Sequence, residues 1–400
     1  MDWKRAARLK GLMFEIPPSW IDIHYYEAIN ILFRIENSLM FFVYTVLKTA
    51  LGKDWAQASA SDDKQSVGTI ASIAKKRIDQ EQSMGYIGYP ITASIMQLTA
   101  GELVSIILTD AYWPHFKGYF SASKQVIQHK LLEIVAVRNS LSHFRPIQED
   151  DVDLVKQNAK HVFRQIENYL RSMLQVNVQV PSNSPDQWYT SIQPMKNDFC
   201  RLSLYESADR RWVKIRLIYE APSLSVRPAR NALHFKVLTV ITAEALSCSP
   251  RLSDAVIYVA ETVNASPVPD DPAKTTFRKG IDLVFHVDAL QREVQAVRDS
   301  LAELLSVIER ETRIIFDDHG AQGKLVRSVI THASRVSSDS PWYASAAPMT
   351  SEVKENDPIE YWGEIEFDQN DLVTMTKKYP WMPVTVTNEY ESEFDDDIPF

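Results

Sequence analysis

The stretch IDIHYYEAINILFRIENSLMFFVYTVLKTALG, Ile21–Gly52, decides the architecture of the first half of this chain. It holds no proline, and no glycine before its last residue. Ile29, Leu32, Phe33, Leu39, Phe42, Val43, Val46 and Leu47 recur at intervals of three and four, the period of a helix rather than of a strand. Gly52 tolerates positive φ and so ends that helix. Beyond it, the polar residues 56–69 read as a loop. Helical patterning resumes over Ile70–Ile78 and again from Ile91 to Ala111, ahead of Pro114. A further helix is expected over about Ser123–Ser142, with Ile127, Leu131, Leu132, Val135 and Val137 as its apolar face. Pro146 ends it at or before Arg145, because the residue before a proline is pushed out of the helical region. Glu149–Asp151 suit the positive end of the next helix dipole, and that helix runs to about Leu174. Residues 1–180 are therefore expected to be an all-helical bundle of about five helices.

The composition then changes. Pro181–Pro185 is a linker signal. After it come alternating or β-branched runs at Phe199–Tyr205, Trp212–Tyr219, Phe235–Ala243, Ala255–Val263 and Ile281–Val287, with a hairpin turn through Ser207–Arg211. Ala265–Lys274 reads as a loop, and a long helix is expected over Asp288–Ile315. Residues 186–335 thus form a mixed α+β domain. Residues 336–388 form an acidic, aromatic extension that packs on it, and 389–400 a disordered tail. The fold class is an all-helical bundle followed by an α+β domain. Trp188-Tyr189-Thr-Ser191-Ile-Gln-Pro194-Met195 is echoed by Trp342-Tyr343-Ala-Ser345-Ala-Ala-Pro348-Met349. The echo is either a repeated unit or a coincidence of packing.

Composition excludes several classes. Of 400 residues, 45% are hydrophobic and 24% charged, which is globular rather than disordered. Two cysteines, Cys200 and Cys248, make neither a disulfide framework nor a thiolate zinc site. The nine histidines lack metal-ligand spacing, no phosphate-cradling glycine loop is present, and neither metal nor cofactor is expected. No run approaches about 18 apolar residues and no signal-like core follows the basic start, so a cytoplasmic chain without a membrane partner is expected. The net charge of −9 is uneven. Residues 339–400 hold 15 acids and 3 bases, a net of −12, which leaves +3 on residues 1–338. A mildly basic body with an acidic end suits nucleic acid on the body and a separate partner on the tail.

The candidate site is Arg138-Asn139-Ser140-Leu141-Ser142-His143. An imidazole near neutrality can move the proton of an RNA 2′-hydroxyl or of a leaving oxygen. A guanidinium can grip the phosphate and stabilise charge developing on it. The spacing alone says little, since Arg followed by four to six residues and His occurs four times, at 138/143, 227/234, 313/319 and 327/332. Five helical residues put the two side chains about 140° apart. They either flank a cleft at a loosened helix end or form a surface pair with no role.

Ile134–Arg145 resembles the signature of HEPN domains, compact helical bundles with an Arg-x4–6-His motif and a polar residue after the arginine. Phe33–Leu39 followed by Gly52–Trp55 is similar to the first helix of such bundles. Glu102 falls in the next long helix, where many members carry an acid. The resemblance spans residues 21–176. It implies a metal-independent endoribonuclease, of toxin or antiviral-defence type, whose composite site forms when two bundles dimerise. Arg138, Asn139 and His143 match the motif, with Glu36 and Glu102 as weaker candidates. Some members of that family lack activity, so a non-catalytic bundle stays open.

The chain ends Glu393-Phe394-Asp395-Asp396-Asp397-Ile398-Pro399-Phe400. This resembles the extreme C-terminus of bacterial single-stranded DNA-binding protein, which docks on replication and repair enzymes. The resemblance implies the same partners here. The ring of Phe400 entering an apolar pocket is worth about 1.5–3 kcal/mol. Its carboxylate on a basic side chain adds about as much, Pro399 reduces the entropy lost, and the three aspartates meet a basic rim. Against an association cost of about 4–15 kcal/mol, the sum gives weak, salt-sensitive binding.

Overall fold

The computed structural model describes residues 7–8, 14–15, 23–60, 68–84, 93–143, 145, 147–229, 231–318, 321–337 and 340–351. The chain is a mixed helix and strand protein with antiparallel sheets. A short ladder pairs β1 (Ala7–Arg8) with β2 (Phe14–Glu15). The first half then runs α1 (Ile23–Leu51), α2 (Ile70–Ser83), α3 (Ala100–Leu108), α4 (Trp113–Phe116), α5 (Lys124–Ser142) and α6 (Glu149–Leu174). Gly52 follows α1 at φ +59°, the left-handed position its sequence suggested. By length and composition α1 could cross a membrane, but 65% of its most apolar window is buried inside the fold. Its apolar character is that of a core helix packed against α3, α5 and α6.

The helix expected over Ile91–Ala111 is broken. Thr99 Oγ1 accepts the Glu102 N–H at 3.3 Å and Glu102 Oε2 accepts the Thr99 N–H at 2.8 Å. That reciprocal capping fixes a new start at Ala100, and a separate 3₁₀ turn, Ser94–Gln97, precedes it.

The second half contains β3 (Val178–Gln179), α7 (Gln187–Ile192), β4 (Cys200–Glu206), β5 (Trp212–Ala221), β6 (Ser223–Ala229), β7 (Ala232–Val240), α8 (Thr242–Ser247), α9 (Pro250–Ala255), β8 (Tyr258–Ser266), β9 (Thr276–His286), α10 (Val287–Arg292), α11 (Val294–Asp317), β10 (Val326–Ser334) and β11 (Tyr343–Ala344). One sheet has the order β3-β4-β5-β9-β8 and the other β11-β10-β7-β6. Because β3 pairs with β4, the sheet begins before the Pro181–Pro185 segment. The β4–β5 hairpin turns through Ser207–Arg211, with Arg210 at φ +56°. The strand expected at Phe235–Ala243 ends at Val240, since Thr242 already opens α8. That expected at Ala255–Val263 starts only at Tyr258, after α9. The long helix is interrupted at Glu293 (φ −109°, ψ 18°) and splits into α10 and α11.

Alternation along β5 and β9 explains how the halves join. Val213, Ile215, Leu217 and Tyr219, with Phe277, Ile281, Leu283 and Phe285, face a core shared with α11. Trp212 and Val284 point the other way and belong to the core of the helical bundle. Trp212 Nε1 donates to Ser172 Oγ of α6 at 3.0 Å, and its ring packs 5.1 Å from Tyr169. Tyr44 of α1 donates to the Ile257 carbonyl at 3.3 Å. A buried aromatic of this size contributes about 1.5–3 kcal/mol, so the sheet completes the bundle rather than hanging from it.

The two WYxSxxPM segments differ in backbone. The first forms α7, whereas the second forms β11 and a 3₁₀ turn, Ala347–Met349. Of the two alternatives, the coincidence of letters is the one these backbones favour, since the same residues serve two conformations. Of the acidic extension, residues 352–388 lie outside the described residues, as does the tail 389–400.

Candidate functional site

Arg138 lies on the last turns of α5 with its side chain 29% exposed. Its Nη2 is 3.2 Å from Glu36 Oε1, and its Nε donates to Glu36 Oε2 at 3.4 Å. Glu36, on α1, also accepts the Ala100 backbone N–H at 3.0 Å. One carboxylate thus ties α1, α5 and the start of α3. It compensates two partly buried donors that would otherwise lose water without a partner.

The end of α5 is loosened by its serines. Ser142 Oγ donates back to the Arg138 carbonyl at 2.9 Å, a bond that competes with regular helix. His143 is the C-cap, its N–H reaching the Asn139 carbonyl at 3.1 Å. Asn139 and His143 are exposed. Among the described residues the His143 imidazole has no hydrogen bond or ion pair. No hydrogen bond links it to Arg138. Arg138 faces inward to Glu36 while His143 faces solvent, which matches their angular separation on a helix. Just beyond, Tyr25 of α1 donates its hydroxyl to the Arg145 carbonyl, fastening the chain after α5.

Glu102 lies apart from this group. It receives Arg77 of α2 on both oxygens, at 2.9 and 2.7 Å, besides capping α3. Burial pushes its carboxyl up, but the Arg77 and Thr99 hydrogen bonds outweigh that and hold it below the ordinary glutamate value. Glu102 therefore organises α2 and α3 and does not reach Arg138. The Thr99-x-x-Glu102 spacing was a readable capping signal, whereas nothing in the sequence marked Arg77 as its partner.

A second polar cluster carries no motif that marks it in the sequence. Lys279 is fully buried, with Nζ 2.9 Å from Glu261 Oε2, 2.9 Å from the Met349 carbonyl and 2.7 Å from Ser351 Oγ. Burial pulls the lysine down, against the pull of Glu261. Ser351 N–H donates to Glu261 Oε1 at 2.6 Å. The cluster clasps residues 349–351 onto β8 and β9. Its signal was parity: Lys279 shares the inward face of β9 with Phe277 and Ile281.

Among the described residues no group of three or more His, Cys, Asp or Glu is placed to hold a metal ion. Asp395, Asp396, Asp397, Ile398, Pro399 and Phe400 lie outside the described residues. Comparison with protein-family models, curated proteins and solved structures finds no match to this chain.

Proposed function

We propose that this chain is a metal-independent endoribonuclease, a cytoplasmic effector of the antiviral-defence type, built on a HEPN-like bundle over residues 21–176. The observation that carries the reading is the divided arrangement on α5. Arg138 is held by Glu36 on one side, and an uncommitted His143 stands on the other. The resemblance implies that two bundles side by side, in a homodimer, complete the site.

In that composite site the imidazole of His143 takes the proton of the RNA 2′-hydroxyl or delivers one to the departing oxygen. The 2′-oxygen attacks phosphorus and the 5′-oxygen leaves, giving a 2′,3′-cyclic phosphate and a 5′-hydroxyl. Arg138 anchors the phosphate, Asn139 orients the strand, and Glu36 positions Arg138. The requirement for a 2′-hydroxyl limits cleavage to RNA. The tail Asp395–Phe400 docks on enzymes that bind single-stranded DNA-binding protein, linking cleavage to replication or repair.

A second reading is favoured by the same ion pair. Glu36 already satisfies much of Arg138, which suits a non-catalytic bundle whose tail competes for repair enzymes. Expression of His143→Ala and of a chain lacking Phe400 separates the two. Loss of toxicity in His143→Ala, with tail partners still captured, supports the nuclease. Unchanged toxicity in His143→Ala, with loss on removing Phe400, supports the competitor and overturns the nuclease.

A further inference from the structure

A cleft of about 480 Å³ opens on the seam between bundle and sheet, with no residue of α5 in its lining. Its size is that of a small-ligand pocket. Arg211 from the β4–β5 turn and Arg292 from α10 enter it beside His115 of α4, His286 at the end of β9 and Tyr119. Thr49 of α1 completes the wall.

We propose that this cleft binds a nucleoside monophosphate, its phosphate held between Arg211 and Arg292 and its base against the rings of Tyr119 and the two histidines.

Three observations carry the assignment. Arg292 spends Nη2 on the Thr49 carbonyl at 2.8 Å, which fixes the guanidinium at the seam and leaves its other N–H groups for an oxyanion. Among the described residues the Arg211 guanidinium is paired only with Asp209, at 3.6 Å with both side chains exposed, a pair that a phosphate can displace. His286 Nδ1 accepts the Asp288 N–H at 3.3 Å, so the neutral imidazole keeps its proton on Nε2 as a donor. The Trp212 ring, 5.1 Å away and edge-on, holds that imidazole in place.

Asp288 is the acid that opposes this charge. It lies 3.8 Å from His286 Nδ1 and is exposed, at the rim. Arg292 and Ala50 also line a neighbouring cleft of about 590 Å³, where Lys48, Lys53 and Arg251 stand among Asp54, Asp254 and Glu293. The phosphate could belong to a free nucleotide or to the end of an RNA. Neither Arg138 nor His143 takes part, so the site stands or falls separately from the nuclease reading.

Titration calorimetry on the full chain tests it. The probes are adenosine 5′-monophosphate, adenosine, and a short 2′-O-methyl RNA with and without a 5′-phosphate. The phosphorylated probe is expected to bind saturably, and its unphosphorylated counterpart at least about tenfold more weakly. Arg211→Gln should weaken binding by about tenfold or more with an unchanged melting temperature. Arg292→Gln should do the same, its fold being checked by circular dichroism. A preference for the monophosphate assigns a free nucleotide and a preference for the phosphorylated RNA assigns a strand end; both support the site. No saturable binding of either phosphorylated probe at millimolar concentration, or binding indifferent to both arginine variants, overturns it.

Discussion

Glu36 and Arg138, 102 residues apart in sequence, meet across α1 and α5 at 3.2 Å, and the same carboxylate caps the start of α3 at Ala100. A motif arginine is thus part of the scaffold as well as a candidate for chemistry. The two roles separate by mutation. Glu36→Ala should cost about 1–2 kcal/mol, the usual value of charged hydrogen bonds discounted for partial exposure. In urea unfolding, Glu36→Ala and Arg138→Ala should couple by more than about 0.5 kcal/mol. Additive effects would show that the ion pair does not hold the helices together.

Lys279 and Glu261 set a sharper stability test. Lys279→Met strands a buried carboxylate and should destabilise by about 3–5 kcal/mol. Lys279→Met combined with Glu261→Gln removes both charges and should recover much of that loss. Chemical denaturation of the three proteins decides it, and a double variant as unstable as the single one contradicts the clasp.

Glu102 predicts a pH dependence. Its folded pKa lies below the ordinary value, so the folded state binds that proton less readily than the unfolded chain. The stabilisation is complete above the ordinary glutamate pKa and is lost as the pH falls toward the folded value. Between about pH 5 and pH 3 the wild type should lose more stability than Glu102→Gln. Parallel thermal melts across that range, with equal slopes in both proteins, would count against the Arg77–Glu102 assignment.

The tail predicts a salt-sensitive partner. A peptide ending Asp395-Asp396-Asp397-Ile398-Pro399-Phe400 should bind an enzyme that takes the tail of single-stranded DNA-binding protein. Affinity should fall as salt rises, since the aspartate contacts are screened. Deleting Phe400 should remove at least about tenfold of it, as expected for a buried aromatic ring and the carboxylate beside it. Fluorescence anisotropy at two salt concentrations reads both effects.

The helices that repeated at three and four residues were legible in extent: α1, α5 and the body of α11 fall where their period predicted and α6 where its acidic start did, although Ile29, Phe33 and Leu132 of the expected apolar faces are exposed. Breaks were not legible, because a run such as Ile91–Ala111 keeps its apolar period across a cap. Only the reciprocal hydrogen bonds of Thr99 and Glu102 terminate it. The short strands β3 and β11 and the turn-length helices α7, α8 and α9 lacked the length for a period to show. At the candidate site, the sequence supplied the residues and the angular separation of Arg138 and His143. It could not supply the Glu36 contact with Arg138, which depends on how α1 and α5 cross, nor the seam cleft, whose walls come from four separate stretches of chain.

The most direct test of the nuclease account is the chemistry of the cut ends. Full-length protein is incubated with a defined RNA in excess EDTA, and the fragments are analysed by mass spectrometry beside those from His143→Ala. The account predicts 2′,3′-cyclic phosphate and 5′-hydroxyl ends from the wild type and no fragments from the variant. Cleavage that stops in EDTA, or that persists unchanged in His143→Ala, contradicts it.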